Sequence, residues 1–294
     1  MHDAGIWKAL QTNNVQLLKA QMKGMPLSSS YFMTSNRDVR YAGNEKYSRS
    51  LLSWACIHKA SKCVKFLLAR PEIDVNVRDG FVYKNTTPFM IACTSNELSV
   101  VRMFLADARV DTTLTSDGCS AMWRVIRFHD SSRCSNKHLE VCELFIASDR
   151  DLGSFTQRGE FLIYSGSILD MMALNEKDEP NRALMPEMKD LLDRLRNDFI
   201  QLRHELRLKH GFSEQDATDV FAMVIFLCDD LLKLNMQAVA PCGVPVFFRI
   251  ARRLPMELQM LLCHRVYGSP KHSIPSHKSE PAFKALAQKK LVCL

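Results

Sequence analysis

The sequence predicts an all-α fold, a helical-repeat solenoid with short β-turn fingers followed by a helical C-terminal region. Three observations lead there. The chain resembles itself: "SLLSWACIHKASKCVKFLLARPEIDVNVRDG" (Ser50 to Gly80) aligns under "TPFMIACTSNELSVVRMFLADARVDTTLTSDG" (Thr87 to Gly118). Both run through an apolar pair, Ala-Cys, a polar break, a Val-containing helix and an Asp-bearing segment that closes on Asp-Gly. The starts also recur at a helix-pair spacing, Thr87 following Ser50 by 37 residues and Ser120 following Thr87 by 33. From Asp151 the period is lost, and after Pro186 Leu191, Leu195, Phe199, Leu202 and Leu206 form one helical stripe ending near Gly211.

Taken in order, the elements account for their residues. Thr87 offers a hydroxyl to open the first helix of its unit, and Pro88 suits the first turn because its missing N–H would have no partner there. Ala92-Cys93 are small enough for a neighbouring helix to approach. Val100, Val101, Phe104 and Leu105 then share one face of the second helix. A single unit cannot bury that face, so neighbours must stack on it. The connection 28–48 is longer than the unit requires, and "HDSSRCSNK" (129–137) separates the two helices of the unit begun at Ser120.

Thr87-Pro88-Phe89 with Ala92-Cys93, Asp74-Val75-Asn76 and the Asp-Gly pairs at 79–80 and 117–118 resemble ankyrin repeats, whose period is about 33 residues. The resemblance covers roughly residues 4–150. "IWKALQTNNVQLLKAQMKG" (Ile6 to Gly24) is similar to an N-terminal capping repeat, and "HLEVCELFIAS" (His138 to Ser148) looks like the second helix of the unit begun at Ser120. The family's Thr-Pro-Leu-His is replaced by Ser50-Leu51-Leu52-Ser53 and by Ser120-Ala121-Met122-Trp123.

The organisation expected is a repeat domain over 1–150 with a capping repeat and about three repeats. A degenerate repeat or linker follows over 151–185, and a helical region with a basic end over 186–294. The resemblance further implies that a protein partner meets the finger tips and inner helices. It places Trp54, His58, Ile91, Arg124 and Arg127 on the concave side and Phe81, Tyr83 and Lys84 on a finger. Phe81 and Tyr83 either anchor the partner, as aromatic residues do at binding hot spots, or fold back on the next repeat.

Catalytic signatures are missing: no Gly-x-Ser-x-Gly elbow, no Gly-rich phosphate loop and no His-Glu-x-x-His occurs. The expectation is a non-enzymatic binder without a cofactor. Cys134, His138 and Cys142 share a helical spacing that sets three soft ligands on one face, but no fourth ligand is near, so cysteines packed in the repeat core are preferred to a metal site.

Composition fits this class. Of 294 residues 47% are hydrophobic and 24% charged, the balance of an ordinary globular chain. Ten cysteines are scattered singly without a Cys-x-x-Cys pair, and the first residues lack the apolar core of a signal peptide. A reduced, intracellular protein of the cytoplasm or nucleus, with buried thiols, is expected. The apolar run Val220 to Cys228 is too short for a membrane span and reads as a core helix. Ser213 with Asp216 resembles a capping box that opens it.

Charge is uneven. Residues 245–294 hold nine Lys and Arg against Glu257 and Glu280, which equals the whole net charge of +7 and leaves the rest neutral. Within this end, Leu254-Pro255 followed by Glu257-Leu258 opens a helix with Leu258, Leu261, Leu262 and Val266 at apolar spacing. The pattern resembles the start of an F-box and, distantly, a suppressor-of-cytokine-signalling box. Either resemblance implies that Leu254, Pro255, Leu258, Leu262 and Val266 dock on a ubiquitin-ligase subunit. Two other readings stand beside it: a closing helical cap on the solenoid, and a binder of nucleic acid or anionic lipid through the basic end. A protein partner ranks above nucleic acid.

Overall fold

Three hydroxyls open helices where the sequence repeats begin, and a fourth, Ser167, opens one beyond them. A computed structural model of the chain describes residues 2–23, 32–35, 47–79, 85–128, 137–148, 150–161, 164–174, 184–232 and 244–292. Ser50 Oγ accepts from Ser53 N–H at 3.1 Å, Thr87 Oγ1 from Met90 N–H at 3.3 Å, Ser120 Oγ from Trp123 N–H at 3.1 Å and Ser167 Oγ from Asp170 N–H at 3.1 Å. Each satisfies a donor that the first turn leaves orphaned, worth about 1 kcal/mol. At Ser167 the box is complete, because Asp170 Oδ2 accepts the Ser167 N–H at 2.8 Å.

The elements are helix pairs separated by hairpins. α1 (His2–Gln11) and α2 (Val15–Met22) precede the antiparallel strands β1 (Phe32–Ser35) and β2 (Tyr47–Ser50), so the long connection ends on the Ser50 cap itself. Then come α3 (Leu51–Ile57) with α4 (Ser61–Leu68), α5 (Pro88–Thr94) with α6 (Leu98–Ala106), and α7 (Ala121–Phe128) with α8 (Lys137–Ala147). The hairpin β3 (Gly159–Phe161) and β4 (Tyr164–Gly166), α9 (Ile168–Ala173) and α10 (Pro186–Asn197) follow. Inner helices α3, α5 and α7 pack in succession, as do outer helices α2, α4, α6 and α8. Ala55, Cys56, Ala92 and Cys93 are buried in this stack, and Val100, Val101, Phe104 and Leu105 line its core.

Three kinds of side chain tie each unit to the next. The turns inside the helix pairs carry left-handed residues Asn13, Lys59 and Asn96 (φ 49°, 54° and 57°). Asn13 uses that position to cap the following unit: its Oδ1 accepts from Lys62 N–H at 2.9 Å and Cys63 N–H at 3.3 Å at the start of α4, which lacks a cap of its own. Asn96, at the equivalent turn, reaches the next unit through a side-chain contact instead, its Nδ2 lying 3.2 Å from His138 Nδ1 at the start of α8. Asp74, Asp111 and Asp151 each fold an Asx turn by accepting the N–H two residues on. Between two of these turns Asn76 bridges the repeats, donating to Arg109 O and accepting from Asp111 N–H, both at 2.8 Å. Arg109 meanwhile donates to Leu68 O at the end of α4 and to Arg70 O just after it, and Arg150 to Val110 O beyond α6.

The fingers are short ladders. Asp79 pairs with Thr86, and Ser116 pairs with Cys119 around a turn whose Asp117 and Gly118 have φ 51° and 75°. Two consecutive positive φ values suit the Asp-Gly pair of a tight hairpin. The β3–β4 hairpin lies against this finger: Glu160 N–H donates to Asp117 O at 2.9 Å and Trp123 Nε1–H to Gly166 O at 2.8 Å. A Cβ on Gly118 would sit 2.2 Å from Arg158 O, so glycine is required for space as well as for φ.

The chain divides into two units, Met1–Arg203 and His204–Leu294, with the division inside α11 (Phe199–Lys209). Two expectations change here. The single stripe from Leu191 to Leu206 is two helices, broken at Asp198 (φ −146°), and Phe199 is partly exposed. Nor does Ser213 cap a helix. α12 (Phe212–Cys228) begins earlier, straight after left-handed Gly211, leaving Ser213 buried within the helix and Asp216 paired with Arg207 through contacts of 2.5 and 3.0 Å.

In the second unit α12 is the central helix, packed by α14 (Met256–Val266) and α15 (Ser276–Val292), with α13 (Val244–Ala251) against α14. Ala217, Val220, Phe221, Val224 and Leu227 of α12 meet Phe248, Ala251, Cys263 and Ile274 in one core. Glu214 ties this unit together through Lys271 at 2.7 Å and Lys278 at 2.6 Å. Among the described residues no helix is long and apolar enough to cross a membrane.

Candidate protein-interaction surface

The inner helices position the first group of candidate residues and turn most of them inward. Trp54, Ile91, Arg124 and Arg127 are 5, 6, 3 and 5% exposed. Trp54 meets Trp7 of the first helix pair edge-on at 4.6 Å between ring centroids, and the Arg49 guanidinium covers it at 5.7 Å. His58 stacks beside it at 6.2 Å and remains partly exposed; burial pulls its imidazole below the usual histidine range. Arg124 donates to Ser116 Oγ at 2.8 Å, bracing the 116–119 finger from below. The resemblance assigns these residues to the concave side but does not register what packs over them, here Trp7 for α3 and the Ser116 finger for α7.

Phe81, Tyr83 and Lys84 lie outside the described residues, as does Cys134. What surrounds the finger is defined. Asp79 at its base is buried and accepts the Ser50 N–H at 3.0 Å, joining the finger to the start of α3, and burial raises its carboxyl above the usual range.

Thiols follow the helix packing. Cys56, Cys93 and Cys142 are fully buried in consecutive units, and burial pushes all three well above the ordinary thiol value. Cys119 is raised to about 11 by burial. His138 is engaged with Asn96, and the described residues contain no group of three or more His, Cys, Asp or Glu arranged to hold a metal ion.

The second group lies on α14. Gln259 and Cys263 turn into the core, and Gln259 Nε2 donates to Leu254 O at 2.9 Å, tying the helix start to the preceding turn. Pro255 is the N-cap residue, with no side-chain cap bond, and is exposed. Leu258 and Val266 are 46% and 53% exposed, whereas Leu262 packs partly against the core and Leu254 is half-buried. Of the five candidates, then, Pro255, Leu258 and Val266 face outward. Sequence reasoning passed over the neighbouring helix α13, where Val246 and Ile250 are about half exposed; their i, i+4 spacing beside two arginines was the available signal.

Helix pairs stacked through inner and outer rows, with fingers at the joints, define a repeat scaffold, a class that offers a surface to a partner. The model of the ankyrin repeat family, in three copies, matches residues 52–156, and this part of the chain is built of ankyrin repeats. Such repeats are a protein–protein interaction module and in general a non-catalytic one. No curated protein matches the chain.

Proposed function

We propose that the chain is an adaptor: its ankyrin repeats hold one protein while α14 recruits a subunit of a ubiquitin-ligase complex. The observation that carries the second half is the outward apolar edge of α14. A helix serving only to close the fold would keep Leu258 and Val266 covered, yet each is about half open to solvent. On the repeat side, the reading places the partner at His58, beside the Trp7–Trp54 contact, and at Phe81, Tyr83 and Lys84, which lie outside the described residues.

Affinity purification of the full chain from cells, followed by identification of co-purifying ligase subunits, tests the adaptor. Leu258→Asp with Val266→Asp is expected to remove those subunits and leave the repeat-bound protein in place. A ligase-free preparation, or one unaffected by the double change, rejects it. Nucleic-acid binding through the basic end predicts a steep loss of affinity with salt instead.

A further inference from the structure

We infer that α13 and α14 together form one docking face for an acidic amphipathic helix of a partner protein. This rests on the adaptor reading in placing a partner at α14, and goes beyond it by adding α13 and specifying the partner's chemistry.

On α13, Phe248 and Ala251 are buried in the core. Val246, Arg249 and Ile250 stand at i, i+3 and i+4 around the opposite side, and Arg253 follows in the turn after the helix, all exposed. The turn to α14 is fixed by Arg252 N–H to Phe248 O, Arg253 N–H to Ile250 O and Leu254 N–H to Ala251 O at 3.0 to 3.1 Å, and by Gln259 on Leu254 O. Two short helices are thus held in a set relation, each with aliphatic groups directed outward. Val246, Ile250, Met256, Leu258 and Val266 are 46 to 57% exposed, half covered rather than projecting. Partial covering suits reception of an opposing ridge of side chains, as when helices pack ridge into groove. Membrane insertion calls for projecting apolar groups, often aromatic, whereas Phe247 and Phe248 of α13 pack against the core.

Charge selects the occupant. Between residues 244 and 266 there are four arginines and one acid, Glu257. Arg249 and Arg253 have no ion-pair partner among the described residues. Arg252 reaches Asp230 only at 3.9 Å in an exposed pair, and Arg265 donates to Ser269 O at 3.1 Å. A second copy of this chain would set these arginines against themselves. Nucleic acid would match the charge and leave the aliphatic groups unused. A helix with leucines on one side and glutamates flanking them satisfies both, each guanidinium taking a carboxylate in a charge-assisted pair.

The test uses the full chain and a fluorescent synthetic helix with leucines at i, i+3, i+4 and i+7 and glutamates elsewhere, a copy with lysines replacing the glutamates, phosphatidylserine–phosphatidylcholine vesicles, and single-stranded DNA. The acidic helix is expected to bind, and both Arg249→Glu/Arg253→Glu and Ile250→Asp to weaken it by at least about tenfold. Melting curves check that the variants are folded, and Ile250→Ser replaces Ile250→Asp if that one is not. Equal binding of the lysine helix, tighter binding of vesicles or DNA, or a concentration-dependent dimer abolished by Ile250→Asp overturns the inference. Ligase subunits that co-purify and depend on Leu258, alongside an acidic helix indifferent to the two arginines, sink this inference alone. An acidic helix bound through the arginines with no ligase subunit recovered sinks the adaptor reading and leaves this one standing.

Discussion

Replacing Gly118 with alanine isolates the contact between the 116–119 finger and the β3–β4 hairpin. The new Cβ meets Arg158 O at 2.2 Å, far inside any real contact, and its nearest atoms are backbone that cannot rotate away. The hairpin must retreat, loosening the Glu160–Asp117 bond and the Cys119 thiol contact to Glu160 O. Two penalties add: about 1 kcal/mol for a side chain at positive φ and roughly 1 to 3 kcal/mol for overpacking. Gly153 is the matched control, with φ 78° against 75° at Gly118, because its Cβ would meet only Ser120 Cβ at an ordinary 3.4 Å. Urea unfolding followed by tryptophan fluorescence suits both, since Trp7, Trp54 and Trp123 all lie in the first unit. Gly153→Ala is expected to lose about 1 kcal/mol and Gly118→Ala about 2 to 4 kcal/mol. Equal losses would refute the close approach of hairpin to finger, leaving backbone strain as the whole effect.

Lys59 holds a left-handed conformation that its neighbours at the equivalent turns give to asparagine, so Lys59→Gly should raise stability by up to about 1 kcal/mol in the same assay. Glu214 is held below the usual carboxylate range by hydrogen bonds from Lys271 and then Lys278. A depressed folded value means the pairing stabilises above the unfolded value and fades as pH falls through the folded one. Glu214→Gln should therefore lower stability by about 1 kcal/mol at neutral pH, less in high salt because both lysines are partly exposed, and match the parent once the pH has fallen through the depressed folded value. Cys56, Cys93 and Cys142 should resist iodoacetamide in the native chain and react only on unfolding, while Cys93→Ala should lose no more than about 1 kcal/mol, as read by mass spectrometry and urea titration.

The starts of the repeats were legible because their chemistry is local: a hydroxyl three residues before the N–H it caps, a proline in the first turn, an Asp-Gly pair in a hairpin. Outer-helix stripes were legible for the same reason, since Val100, Val101, Phe104 and Leu105 reveal their shared face by spacing alone. Contacts between units were not. Nothing near Asn13 in the chain signals that it caps a helix about fifty residues away, and nothing near Arg124 signals that it donates to the Ser116 hydroxyl. A stripe also does not register a helix break, so Leu191 to Leu206 passes through the one at Asp198 without a change of period. On α14 the stripe was visible, but which of Leu258, Leu262 and Val266 the core would claim depended on where α12 lay.

Asn13 belongs to the first helix pair by sequence and to the second by energetics. Asn76 and Arg109 sit across the next boundary in the same fashion, so the segment that folds as one piece is displaced from the segment that repeats. Cutting the chain at a repeat boundary would leave α4 with an uncapped start, and cutting inside the preceding turn would strand the asparagine. The same offset constrains inheritance: a duplication copying only Ser50 to Gly80 would deliver a helix pair whose cap stayed behind, and the new copy would hold only if the unit ahead of it already carried an asparagine in its turn.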